Sequence, residues 1–141
     1  MSFVPTRRVL LFTALAFGIY GGWALWANVG HGWDVGLRAG LVQGCSSGLV
    51  TFSMSTCVEL VHGALWRRGF GAGAAVLAAL AAIAMSALLH IGLNTVAGTP
   101  EVARTVAFPI AAGVAYSAAY AYAQHRRMRA APAGAAPVAP A

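Results

Sequence analysis

The chain has 141 residues, of which 60% are apolar and only 9% are charged, and its mean hydropathy is +0.73. Soluble domains contain about 45–50% apolar and about 25% charged residues, so this chain has too few polar side chains to cover a water-exposed surface. These values exclude an ordinary cytosolic enzyme and a disordered chain. They also argue against a nucleic-acid-binding protein, despite a formal net charge of +6. We therefore expect an all-α, polytopic integral membrane protein that lies in the lipid bilayer.

Four apolar segments are each long enough to cross about 30 Å of hydrocarbon as a helix. They cover residues 9–29, 40–61, 72–96 and 102–123, and together they predict one transmembrane four-helix bundle over residues 9–124. Gly98 is expected to end the third helix, and Thr99 is a candidate N-cap of the fourth. The first helix is expected to be retained, because its apolar run exceeds the roughly 7–15 residues of a signal-peptide core.

The basic residues predict the orientation of the four helices. All nine are arginines. Seven fall on one side of a four-span arrangement, namely Arg7, Arg8, Arg67, Arg68, Arg126, Arg127 and Arg129, and only Arg38 and Arg104 fall on the other. Because positive residues favour the cytoplasmic side, we predict two antiparallel hairpins with both termini in the cytoplasm. Arginine without lysine, together with many alanines, is typical of a GC-rich bacterial genome, which indicates a bacterial inner membrane.

The two ends of the chain are expected to lie outside the membrane. Residues 1–8 are predicted to be a cytoplasmic N-terminal segment. Residues 125–141 are first basic and then rich in Ala and Pro, which is typical of a flexible tail.

The second segment is the predicted packing centre of the bundle. Its glycines recur at every fourth position, which lets another helix approach closely; they are Gly40, Gly44 and Gly48. At 100° per residue, one half of the same helix also carries polar side chains; they are Gln43, Ser47, Thr51, Ser55 and Glu59. Two interpretations remain open. The face packs closely, with its hydroxyls bonded to their own helix, or it lines a path for a polar solute or for protons.

Glu59 is the only acidic residue inside a predicted span. A carboxylate without a partner is costly to bury in a membrane, so Glu59 is a functional candidate. It lies about one turn from the end of its span, where Arg67 and Arg68 offer an ion pair instead. Both roles, ion pairing and proton exchange, are consistent with the sequence.

His90 and Asn94 lie four residues apart on one face of the third segment. His90 lies at about the depth of Cys45 and Ser46 of the second segment, and Asn94 lies slightly nearer the surface, as Gln43 does, so a polar cluster of these residues is geometrically possible. This cluster would either join the helices by hydrogen bonds or recognise a polar solute. The spacing of the histidines and cysteines matches no metal-binding motif, so no metal and no cofactor are expected.

The fourth segment contains a proline and a row of small residues. Pro109 is predicted to kink the helix, because proline removes a backbone hydrogen bond. Gly113 and Ser117 share one small-residue face suited to helix packing.

The sequence contains no nucleophile motif, no phosphate-binding loop and no carboxylate pair suited to acid–base catalysis, so no catalytic residue is assigned. We expect a non-enzymatic protein that translocates or binds a small or amphipathic solute. Because four helices enclose little space, it should act as a homo-oligomer. The alternative is an accessory subunit that packs onto a larger membrane enzyme or transporter through its glycine-rich second helix.

Overall fold

The computed structural model describes residues 7–130, with side chains from Ala14 onward. These residues form four α-helices and no strand, which confirms the all-α prediction. The helices are α1 (Arg7–Asn28), α2 (Trp33–Arg67), α3 (Ala72–Val96) and α4 (Val102–Ala130). A short 3-10 helix, Val29–His31, joins α1 to α2. Residues 1–6 of the predicted N-terminal segment and 131–141 of the predicted tail lie outside the described residues.

Three of the described helices, α2, α3 and α4, are long and apolar enough to cross a membrane. They have 35, 25 and 29 residues. α1 has 22 residues, but the side chains of residues 9–13 in its predicted span lie outside the described part. α4 continues through the basic residues 125–130, beyond its predicted span. Arg, Met and Ala are good helix formers, and arginines are favourable at a helix C-terminus.

Within the described residues, the interior of the bundle combines small or medium-sized apolar side chains with polar ones, whereas large apolar side chains lie on the surface. Of the eight largest fully buried side chains, only Val58 is apolar; the other seven are His62, Gln43, Asn28, Asn94, Thr105, Ser86 and Ser117. Large apolar side chains face outward instead, including Phe52 at 71% and Leu88 at 73% exposure. In water, apolar patches of this extent would drive association. Lipid tails solvate such side chains, so the described surface fits a bilayer.

Small residues hold the helices close together. α3 buries every fourth residue: Ala74, Ala78, Ala82, Ser86, His90 and Asn94. α4 follows the same spacing with Thr105, Pro109, Gly113, Ser117 and Ala121. α2 and α4 each contact all three other helices, so the role of α2 as the packing centre stays a prediction. α4 passes through Pro109 as one continuous helix, and a kink there stays a prediction.

The backbones of α1 and α2 approach each other closely at glycine residues. A Cβ atom added to Gly40 would lie 2.9 Å from the Gly21 carbonyl oxygen, and one added to Gly44 would lie 2.7 Å from the ring of Phe17. Gly48, the third glycine predicted to pack, has no neighbouring atom within 4 Å of such a Cβ, because it lies on the exposed side of α2. α1 therefore covers two of the three glycines. Gly113 also lies at a contact, 3.3 Å from the Met54 Cε atom by the same measure.

Substituting alanine separately at Gly40 and Gly48 should distinguish these environments. Gly40→Ala should lower the free energy of unfolding by about 1–3 kcal/mol, because the new methyl group overlaps a backbone oxygen that cannot move alone. Gly48→Ala should be neutral or slightly stabilising, since alanine is the better helix former. Thermal unfolding of both variants in the same detergent measures the difference. Equal midpoints would contradict the close approach of α1 and α2.

Candidate functional site

Asn28 joins the last turn of α1 to the first turn of α4, and we call this end of the bundle the Asn28 end. Its side-chain amide donates to the Ala24 carbonyl at 2.8 Å and to the Thr105 hydroxyl at 2.7 Å. Its oxygen accepts the backbone N–H of Glu101 at 3.0 Å. Glu101 directly precedes α4, so Asn28 satisfies a free N–H at the start of a distant helix. The opposite end, which holds the C-termini of α2 and α4, is called the Arg67 end.

Three kinds of contact hold charged residues at the Asn28 end: an ion pair, a hydrogen bond to a loop carbonyl and a cation–π contact. His31 lies 3.2 Å from Glu101, with both side chains about half exposed. The Arg38 guanidinium donates to the Gly98 carbonyl at 3.1 Å. Gly98 follows the end of α3 with a φ of +67°, a conformation that glycine adopts readily. The Arg104 guanidinium lies 4.2 Å above the Trp26 ring, a cation–π contact.

A buried cluster of hydrogen-bonding side chains joins α2 to α3. The Asn94 amide donates to Gln43 Oε1 at 2.8 Å, and Gln43 Nε2 lies 3.0 Å from His90 Nδ1. Because Nε2 of an amide only donates, His90 Nδ1 accepts, and the neutral ring carries its proton on Nε2. All three side chains are 4% exposed or less. The structure thus brings together three residues whose depths made a polar cluster geometrically possible.

Thr99 does not cap α4, contrary to expectation. Its hydroxyl donates to Asn94 Oδ1 at 3.2 Å, which extends the buried cluster toward the Asn28 end. The N–H of Glu101 is satisfied by Asn28 instead. A nearby side chain from another helix therefore takes the place of the local cap.

A small cavity adjoins the buried cluster in the middle of the bundle. Its volume is about 80 Å³, which is enough for a few water molecules. His90 from α3 lines it, together with Ser47 and Thr51 from α2. Tyr20 from α1 and Tyr116 from α4 complete its polar lining, and Pro109 and Gly113 are among the remaining lining residues. All four helices therefore contribute to this cavity.

Two tyrosines connect the cavity to Glu59. The Tyr116 hydroxyl lies 2.8 Å from Ser55 Oγ, and the rings of Tyr116 and Tyr120 stack with centroids 5.7 Å apart. Tyr120 then donates to Glu59 Oε1 at 2.5 Å, a short hydrogen bond. The ion pair with Arg67 or Arg68 is not formed, since the salt bridge found within residues 14–130 is the one between His31 and Glu101.

These contacts form a series of polar side chains that is buried at the Asn94 end and partly exposed from Thr51 to Glu59, and we call it the polar row. It runs through Asn94, Gln43, His90, Ser47, Thr51, Tyr116, Ser55, Tyr120 and Glu59. The hydroxyls of Ser47, Thr51 and Ser55 each donate to a carbonyl of their own helix. Each hydroxyl oxygen can still accept a hydrogen bond. Both interpretations of this face of α2 are therefore compatible with its geometry.

Two residues of the polar row were not singled out from the sequence as site residues. Tyr116 and Tyr120 lie four residues apart and so share one face of α4. That spacing is visible in the sequence, but it does not reveal that the face meets Ser55 and Glu59. Ser117 was predicted to pack, and it is fully buried, with no hydrogen-bond partner for its hydroxyl among the described residues.

Comparison with known proteins gives no relative for this chain. It matches no protein-family model, no curated protein and no solved structure. A function is therefore inferred from the geometry and chemistry of its own residues.

Gln43→Leu should destabilise the bundle, because it leaves His90 and Asn94 buried without their partner. An unsatisfied buried polar group costs about 1–3 kcal/mol, so the loss should exceed that of an exposed substitution. Cys45→Ala, two residues further on the exposed side of α2, is the matched control. Equilibrium unfolding in mixed micelles measures both variants. A Gln43→Leu protein as stable as Cys45→Ala would show that the cluster contributes nothing to stability.

Proposed function

We propose that the protein is a non-enzymatic, multi-pass protein of the bacterial inner membrane that translocates a small solute along the polar row. Glu59 and His90 are its proton-exchanging groups. The observation that carries this proposal is the series of polar side chains from Asn94 to Glu59, which is hydrogen-bonded at both ends and passes a water-sized cavity and two stacked tyrosine rings between them. In an otherwise apolar membrane bundle, ionisable interior groups are most often functional.

The proposed orientation places the helices as two antiparallel hairpins with both termini in the cytoplasm. The Arg67 end then faces the cytoplasm and the Asn28 end faces outward. The seven arginines near the Arg67 end, against two near the Asn28 end, support this assignment. Glu59 lies toward the cytoplasmic side and the cluster of Gln43, His90 and Asn94 toward the outer side.

The chemistry of the polar row suits the transfer of protons. His90 donates from Nε2 and binds a second proton when Nδ1 releases Gln43. Serine, threonine and tyrosine hydroxyls both donate and accept, so each passes a proton by exchanging one hydrogen bond for another. Glu59, held by Tyr120, is the acceptor nearest the Arg67 end.

The small volume of the cavity is an argument that several copies of the chain assemble to translocate a solute. About 80 Å³ holds a few waters but not an amphipathic molecule. A solute larger than water would therefore move between copies of the chain, with the polar row of each copy supplying protons. This is the reason for proposing a homo-oligomer.

The alternative, an accessory subunit docked through the second helix, receives less support from the contacts. Gly40 and Gly44 lie against α1 of the same chain, so they are not free to receive another protein. Gly48 alone has open space beside it.

Glu59→Gln should abolish proton movement while leaving the fold intact. Glutamine still accepts the Tyr120 hydrogen bond but does not titrate. In liposomes with a potassium gradient and valinomycin, the rate of proton uptake should fall at least about tenfold, since a positioned proton-transfer group contributes 10²–10⁴-fold in enzymes.

The matched control is Glu101→Gln, which removes an acidic residue that lies outside the polar row. It should retain the wild-type rate. A wild-type protein that moves no protons, or a Glu59→Gln protein as active as wild type, would refute the proposed mechanism.

Native mass spectrometry of the protein extracted from its host membrane tests the proposed assembly. We expect a homo-oligomer without a second protein. A larger partner in fixed stoichiometry would instead favour the accessory subunit.

A further inference from the structure

Two histidines and a tryptophan form a cluster at the Arg67 end that the polar row does not use. His62 of α2 and His125 of α4 have ring centroids 5.8 Å apart and nearly perpendicular planes. The Trp66 ring stacks on His62 at 5.8 Å and meets the edge of His125 at 5.3 Å. His62 is fully buried. We call these three residues the histidine–tryptophan cluster.

Three of the four imidazole nitrogens of this cluster are buried without a hydrogen-bond partner among the described residues. Both nitrogens of His62 and Nδ1 of His125 are buried, and none binds another atom among the described residues. A neutral imidazole always carries one N–H donor and one lone pair, so burying it in this way is costly. Each of the other buried polar clusters described above has such partners. A bound ligand that accepts the lone pairs of the imidazole nitrogens would remove much of this free-energy cost.

The distance between the rings fits a metal ion held by one nitrogen of each histidine. With nitrogen–metal bonds of about 2.0 Å, two imidazoles on one ion have centroids roughly 5–6.5 Å apart, depending on the bond angle. The observed 5.8 Å lies within that range. Imidazole nitrogen binds copper, zinc, nickel and iron, so the number of ligands and the local charge decide between them.

The small number of ligands and the positive local charge both favour a monovalent ion over a divalent one. Within residues 14–130, no group of three His, Cys, Asp or Glu side chains is placed to hold a metal, whereas structural zinc takes four ligands. The surroundings are also strongly basic, with Arg67, Arg68, Arg126, Arg127 and Arg129 close in sequence to the two histidines. Repulsion by these charges is twice as large for a divalent ion as for a monovalent one. The face of Trp66 offers additional attraction for a cation.

We propose that His62 and His125 form a two-coordinate site for Cu(I), with Trp66 packed against it. Two neutral imidazoles at a wide angle satisfy this ion without a third protein ligand. In the proposed orientation the site faces the reducing cytoplasm, where the lower oxidation state of copper persists. The site does not depend on proton transfer along the polar row.

Anaerobic titration of the purified full-length protein with Cu(I), in competition with a chromophoric Cu(I) chelator, tests this site. We expect one ion per chain in the wild type. His62→Ala and His125→Ala should each weaken binding by more than about 100-fold, because losing even an outer-shell partner costs 10–100-fold. His31→Ala, at the other end of the bundle, should bind like wild type, and so should Glu59→Gln.

Two further measurements use the wild type or the conservative variant Trp66→Phe, so they test the site even if the alanine variants do not fold. Cu(I) should quench the tryptophan fluorescence of the wild type, and Trp66→Phe should bind copper without that quenching. X-ray absorption of the copper-loaded wild type should show two nitrogen donors. The absence of stoichiometric binding, binding that survives the loss of both histidines, or Zn²⁺ bound as tightly as Cu(I) would overturn the proposal.

Discussion

The rest of this structure depends on one constraint: inside hydrocarbon, no water is available to satisfy a polar group. The chain meets it by placing its amide side chains between helices, so that Asn28 links α1 to α4 and Gln43 links α2 to α3. Large apolar side chains face outward, where lipid solvates them. Small residues such as Gly40, which lies against Gly21 of α1, let neighbouring helices pack closely. The arrangement reverses that of a soluble protein, in which apolar burial is the main source of stability.

The polar row satisfies the same constraint in two different ways along its length. Asn94 and Gln43 are joined by a fixed hydrogen bond, which makes that part of the interior rigid. The hydroxyls of α2 instead bind their own helix, so they can change partners without leaving any backbone group buried and alone. The packing interpretation and the proton-path interpretation of this face of α2 are both compatible with these hydrogen bonds.

Sequence hydropathy predicted the number of helices and the bounds of α3, because both follow from local chemistry, whereas α2 begins at Trp33 and not near residue 40. The third span was expected at residues 72–96, and α3 occupies Ala72–Val96, since glycines with positive φ lie just outside both ends. The meeting of His90 with Gln43 was geometrically possible from their depths along two neighbouring helices. The partner of Glu59 could not be predicted in this way. Periodicity gives the face on which a residue lies, but not which residue of another helix faces it, so nearby arginines were favoured over Tyr120. The hydrogen bond by which Asn28 caps α4 could not be predicted either, because it too joins residues of two different helices.

The bond from Asn28 to Glu101 spans 73 residues of sequence, and this has a consequence for how the protein is made. The first turn of α4 lacks its cap until the end of α1 reaches it, although α1 is synthesised long before. Helices inserted one after another can therefore reach the membrane in order, but the bundle is closed only when the last helix meets the first. Assembly of this chain is complete only when α4 contacts α1. If it stops earlier, Asn28 Oδ1 and the backbone N–H of Glu101 are left without the hydrogen bond between them.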